Sequence, residues 1–170
     1  MLGFLFRGLT AEPARGAALF GAINARVRQP HWYVEGKVPD TIDGRFAVLA
    51  TLIALALVRI EQLGEQANDL SVALTEQFIT VMETEHRELG LGDPKLGRTV
   101  RKLVGSLSRR VELWRAAVAS ERAWNEAVHE SLYKSGASAD AILHSAAALQ
   151  DYWARLSASE LAALVEGKIG

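Results

Sequence analysis

The chain has 170 residues, 49% of them apolar and 23% charged, with a formal charge of −1; this is the balance of one globular domain with a real core, not of a disordered chain. Near-neutrality excludes a global attraction to nucleic acid or anionic lipid, so any such contact must come from a local patch, and no specific DNA partner is expected. The absence of cysteine excludes disulfides, thiolate metal sites and cysteine nucleophiles, and fits a reducing compartment.

Residues 1–9 form an apolar segment in which Leu2, Phe4, Leu5 and Phe6 stand out. It lacks the basic region and cleavage site of a signal peptide. Such a segment can dip into a membrane interface, cover the core, or stay unstructured. Residues 10–170 are expected to form a single compact all-α domain of about six to seven helices. β-branched alternation is absent, and alanine and leucine dominate.

The first helix is predicted from about Pro13 to Arg28, capped by Thr10 or Glu12 and stopped by Pro30. His31 to Gly44 is the one long irregular stretch, and Pro39 prevents a helix from starting before Thr41. The second helix, about Arg45 to Leu63, contains the longest apolar run, Phe46 to Val58. That run falls well short of the roughly 20 apolar residues that cross a bilayer. Apolar on every side, it is expected at the centre of the core, or with one face offered to an apolar client.

The third helix is predicted over about Glu65 to Leu89. Leu70, Ala73, Leu74, Phe78, Val81, Met82 and Leu89 form its apolar face, and Glu65, Asp69, Glu76 and Glu83 lie along the other side. The turn Gly90 to Pro94 ends it, with Asp93 placed to cap the next helix. A fourth helix follows from about Pro94 to Ala119, with Gly105 as a possible kink. A fifth ends near Lys134-Ser135-Gly136. Ser138 opens a sixth, with Ile142, Leu143, Leu149, Trp153 and Leu156 inward. Ser157 to Glu160 reads as a capping box before a short last helix that stops at Gly167.

The fourth helix carries the most strongly patterned surface. Leu96, Val100, Leu103, Leu107, Val111, Trp114 and Val118 share one face, and Lys95, Arg98, Arg101, Lys102 and Arg109 lie nearly opposite, interrupted only by Glu112. A face of this kind can lie on anionic lipid, on a phosphate backbone or on an acidic partner. It can equally be a solvated face whose cations pair with the acidic stripe of the third helix.

Catalytic and metal-binding constellations are missing. His31, His86, His129 and His144 show no i, i+4 pair and no carboxylate cluster beside them, so metal binding is not expected. His129-Glu130 lacks the second histidine of a zinc protease motif. There is no phosphate-binding loop, nucleotide fingerprint or nucleophile elbow. No cofactor and no enzymatic activity are expected.

Two blocks carry a resemblance. The segment Tyr33-Val34-Glu35-Gly36-Lys37-Val38-Pro39-Asp40-Thr41-Ile42-Asp43-Gly44-Arg45-Phe46 resembles the signature of the ubiquinol–cytochrome c chaperone family, a tyrosine followed by V-P-D-T-x-x-G-R-F leading into a hydrophobic helix. Arg87-Glu88-Leu89-Gly90-Leu91-Gly92-Asp93 is similar to the family's R-E-x-G-V-G-D. It is followed by a basic helix with a late Arg-x-x-x-aromatic, here Arg110 and Trp114. The resemblance spans about Leu19 to Val118. It departs from the family pattern at Leu52, where a histidine is usual, at Val81, and at Arg109.

The resemblance implies an all-α, non-catalytic assembly chaperone for newly made cytochrome b of ubiquinol–cytochrome c reductase (respiratory complex III). It also implies work at the cytoplasmic face of the membrane, near ribosomes, and it raises the expectation of a small partner protein. Tyr33, Pro39, Asp40, Thr41, Gly44, Arg45, Phe46, Arg87, Glu88, Asp93, Arg110 and Trp114 are the candidate partner-binding residues, with the basic face beside them. Within the blocks, Pro39, Gly44, Gly90 and Gly92 set backbone geometry. Asp40 or Thr41 caps the second helix, Arg45 or Asp93 bridges the two turns, and Tyr33 and Phe46 close the core over the loop.

Overall fold

A computed structural model describes residues 16–170. The apolar segment 1–9, the cap at Thr10 or Glu12 and the helix start at Pro13 lie outside the described residues.

Seven helices and no strand occur among the described residues. The first, α1, is helical over residues 16–27. A 3-10 turn, Pro30–Trp32, follows, then α2 (Ile42–Gln62), a second short turn (Glu65–Ala67), α3 (Asn68–Glu88), α4 (Asp93–Val118), α5 (Trp124–Leu132), α6 (Ala139–Ala158) and α7 (Leu161–Val165).

The apolar run places α2 at the centre, as its lack of a polar side requires. Every residue from Ala47 to Val58 is buried, and α3, α4, α5 and α6 all pack on this helix. The one polar residue in that stretch, Thr51, donates to Ala47 O at 2.7 Å and meets Ser131 Oγ. Ser131 Oγ in turn accepts Trp114 Nε1 at 3.1 Å. Pairing of this kind offsets the cost of burying hydroxyls, which is about 1–3 kcal/mol for each group left unpaired.

Caps explain some boundaries and correct others. Thr41 starts α2, its Oγ1 accepting Gly44 N–H at 3.1 Å. This moves the helix start from Arg45 back to Ile42. Ser138 caps α6 through Ala141 N–H at 3.2 Å. Asp93 does not cap α4. Gly92 holds the cap position, and Asp93 is the first helical residue, where its charge still favours the helix N-terminus. The expected capping box Ser157 to Glu160 does not form either: Ser157 lies within α6, Glu160 holds the cap position of α7 without a side-chain cap bond, and Ser159 Oγ donates back to Arg155 O at 2.8 Å.

Two leucines expected inside are outside. Leu89 is 62% exposed because α3 ends at Glu88 and Leu89 leaves the helical face. Leu143 is 56% exposed, because α6 buries Ala141, Ser145, Leu149, Tyr152 and Leu156 and Leu143 sits about 200° around from Ala141. Helix α4 passes Gly105 unbroken. A Cβ there would meet only Arg109 Nη1 at 3.6 Å, so no close packing requires the glycine.

Candidate functional site

The first block is a loop fastened at almost every residue. Trp32 is buried, and its Nε1 donates to Arg26 O at 2.9 Å. Tyr33 OH donates to Val27 O at 2.7 Å, and burial raises the pKa of this phenol. Val38 N–H closes onto Trp32 O at 3.0 Å. Tyr133 OH, 97 positions further along the chain, donates to Gly36 O and lies 2.9 Å from Ser145 Oγ. At Gly44 a Cβ would stand 1.8 Å from Pro39 O, so the chain can turn into α2 only through a glycine. Arg45 Nε donates to Asp40 at 2.7 Å, and its guanidinium lies 5.2 Å from the Tyr33 ring centre. Arg45 is thus spent within its own block. Neither it nor Asp93, which forms no ion pair among the described residues, joins the two turns.

Phe46, at the end of the block, lies half-buried between two clefts, tilted on Phe78 at 6.1 Å and beneath the Arg110 guanidinium at 5.8 Å. On one side is a cleft of about 460 Å³ with an apolar floor and rim that include Ile42, Leu49, Leu89 and Leu103, bordered by the charged residues Arg28, Asp43, Arg45, Glu85 and Glu88. Its rim residues Ile42 and Leu89 are 66% and 62% exposed. They come from the two sequence blocks, which therefore converge in space. Glu88 also lines this cleft, whereas Arg87 and Asp93 are exposed and line neither cleft.

On the other side of Phe46 is a cleft of about 610 Å³ between the start of α2, α4, and the α5–α6 connection; Pro39, Thr41, Gly44 and Arg110 line it. Arg110 is largely buried. Its Nε and Nη2 donate to Ser131 O at 3.2 and 2.8 Å, and its Nη1 donates to Ser106 O at 3.3 Å and to Ser106 Oγ. Burial lowers its pKa, and neighbouring Arg109 lowers it further. Trp114 is not a surface residue. It is fully buried against Trp124, with ring centres 5.1 Å apart.

Lys95, Arg98, Arg101, Lys102 and Arg109 are all exposed, and among the described residues none lies within 4.0 Å of a carboxylate. Pairing with the acidic stripe of α3 does not occur. The two helices meet through their apolar faces, which turns both charged stripes outward. The ion pairs of α4 instead run from Arg115 to Glu61 and Glu112 at 2.9 and 2.7 Å. The three departures from the family pattern fall in different environments. Leu52 is fully buried, Val81 is half-buried against the core, and Arg109 is exposed on the basic face.

Some contacts had no signal in the sequence. His31 Nδ1 lies 3.1 Å from His144 Nε2, although 113 positions separate them. Lys37 adopts a left-handed φ of 52°. Lys134 Nζ binds Asp43 at 2.7 Å at the mouth of the larger cleft. Among the described residues no cluster of three metal-ligating side chains exists, and no helix is long and apolar enough to cross a membrane.

The described residues form an all-α domain with two clefts that meet at Phe46. The family description "Ubiquinol-cytochrome C chaperone" matches residues 34–169, and the chain belongs to that family. The crystal structure of the Cbp3 homolog from Brucella abortus is similar to it, with a TM-score of 0.80 and 26% identity over 100% of this chain and 96% of that one. Comparison with curated proteins gives no significant match.

Proposed function

We propose that this protein is a non-catalytic chaperone that receives newly made cytochrome b for the assembly of complex III, and that the Ile42–Leu89 cleft is where an apolar segment of that client docks. The observation that carries this reading is the convergence of both family blocks on one apolar cleft, with two large aliphatic side chains held in solvent at its rim. Groove binding of an apolar helix needs such a row of apolar contacts and no reactive group. Covering Ile42 and Leu89 contributes about 1–2 kcal/mol each.

A second surface supports a place of work. The unpaired cations Lys95, Arg98, Arg101, Lys102 and Arg109 suit an anionic neighbour, either the inner face of the cytoplasmic membrane or ribosomal RNA. Such binding weakens with salt. Flotation with anionic vesicles and ribosome sedimentation, each at low and high salt, test it. Binding unchanged in the Arg98→Glu/Arg101→Glu/Lys102→Glu variant would remove this face from the reading.

The chaperone role is tested by deleting the gene and recording reduced-minus-oxidised haem spectra of membranes. The expected result is selective loss of the b-type signal of complex III, restored by the wild-type gene and not by the Ile42→Asp/Leu89→Asp variant. An unchanged spectrum with normal complex III activity contradicts the role.

A further inference from the structure

The cleft on the far side of Phe46 differs from the client groove in charge. Its lining contains Lys37, Lys102, Arg110 and Lys134 but only two carboxylates, Asp43 and Glu130. Both carboxylates are engaged: Asp43 binds Lys134 at 2.7 Å, and Glu130 binds Arg122 at 2.6 Å. Arg110 has no carboxylate partner. Its four hydrogen bonds all go to uncharged oxygens of Ser131 and Ser106, which leaves one of the five guanidinium N–H donors and the whole charge uncompensated. A cation held in a partly apolar wall without a counter-ion attracts an anion more strongly than one in open water. Lys37 reaches the rim from a left-handed backbone conformation (φ 52°), which side-chain-bearing residues adopt at a cost and which recurs at ligand clamps.

The volume, about 610 Å³, suits a few side chains and falls within the range of roughly 300–1,000 Å³ of ligand sites. Asp43, Phe46 and Leu103 line both clefts, and the Asp43 charge is paired with Lys134. An occupant of the client groove that crosses Phe46 therefore arrives over Arg110.

We propose that this second cleft is an acid-reading subsite, in which Arg110, assisted by Lys102, receives the carboxylate of an aspartate or glutamate that follows an apolar stretch in the docked polypeptide. This rests on the groove reading above. It adds selectivity, since an apolar segment followed by an acidic residue is held and one followed by an amide is not. A hydrogen bond from a charged donor to a carboxylate is shorter and about twice as strong as one between neutral groups.

The test uses the full chain and two fluorescein-labelled peptides, Leu-Leu-Ala-Leu-Glu-Phe and its twin with glutamine in place of glutamate, followed by fluorescence anisotropy. The glutamate peptide is expected to bind about tenfold more tightly, the scale of one charge-assisted hydrogen-bond pair. That ratio should fall to near one in Arg110→Gln. Because Arg110 also ties α4 to Ser131, the exposed Lys102→Gln provides a second variant, expected to reduce the ratio without loss of helical circular dichroism. Equal binding of the two peptides to the wild type, lost in Ile42→Asp, would keep the groove and overturn the acid-reading subsite. A tenfold preference that survives Ile42→Asp would keep the subsite and overturn the groove reading. Binding of neither peptide, or displacement of the glutamate peptide by millimolar acetate alone, would overturn the proposal, the latter by assigning the cleft to small anions.

Discussion

The two blocks that carry the family resemblance are built in opposite ways. From Trp32 to Arg45 many groups are committed inside the molecule: Trp32 and Tyr33 to α1, Gly36 to Tyr133, Thr41 to Gly44, and Arg45 to Asp40, with Val34 and Ile42 the large apolar side chains left in solvent. From Arg87 to Asp93 the side chains of Arg87, Glu88, Leu89 and Asp93 stand in solvent and Leu91 is half-buried, while backbone bonds such as Gly90 N–H to Arg87 O at 3.0 Å shape the turn. A recurring residue in the first block is thus explained by the loop it builds. In the second, Gly90 holds a left-handed φ of 86° and Asp93 opens α4, whereas the exposed Arg87 side chain forms no ion pair among the described residues.

Substitutions sharpen this contrast. Gly44→Ala forces a Cβ to within 1.8 Å of a backbone oxygen and is expected to cost about 3 kcal/mol, as overpacking against backbone does. Urea unfolding with an unchanged m-value would measure it. Thr41→Ala removes the cap of α2 and should cost about 1 kcal/mol in the same experiment. Arg87→Ala and Asp93→Ala should shift stability by less than about 0.5 kcal/mol while lowering the amount of assembled complex III in cells. If either destabilised the fold as much as Gly44→Ala, the contrast between the blocks would be lost.

The smallest expected effect is a pH dependence. His31 has a lowered pKa, first from burial and then from His144, against an opposing pull from Glu35. The unfolded chain, whose histidine titrates near 6.5, therefore takes up the proton more readily than the folded one. Stability should fall as the pH drops through that value and be insensitive to this pair well above it. In His31→Asn part of that slope should disappear. Identical slopes in the two proteins would show that the His31–His144 contact has no energetic weight in solution.

Helical periodicity made much of the architecture legible. The run from Phe46 to Val58 identified the central helix, and the two faces of α4 emerged as drawn, with Leu96, Val100, Leu107, Val111 and Trp114 buried and the five cations exposed. Trp114 received two readings, core by its face and partner by its motif, and the packed interior took it. Leu89 was misplaced because its face depended on where α3 stops, and Asp93 because a cap and a first helical residue look alike in sequence. The clefts around Phe46 and the lack of a carboxylate partner for Arg110 were not legible. They depend on how α2, α3, α4 and α5 converge, which local pattern does not encode.

The most direct test is capture of cytochrome b itself. Cytochrome b translated in vitro in the presence of detergent-free chaperone should co-purify with the wild-type protein and fail to do so with Ile42→Asp/Leu89→Asp, whose substitutions lie in solvent and should leave the unfolding midpoint unchanged. Equal retention of cytochrome b by the folded variant would contradict docking in this cleft.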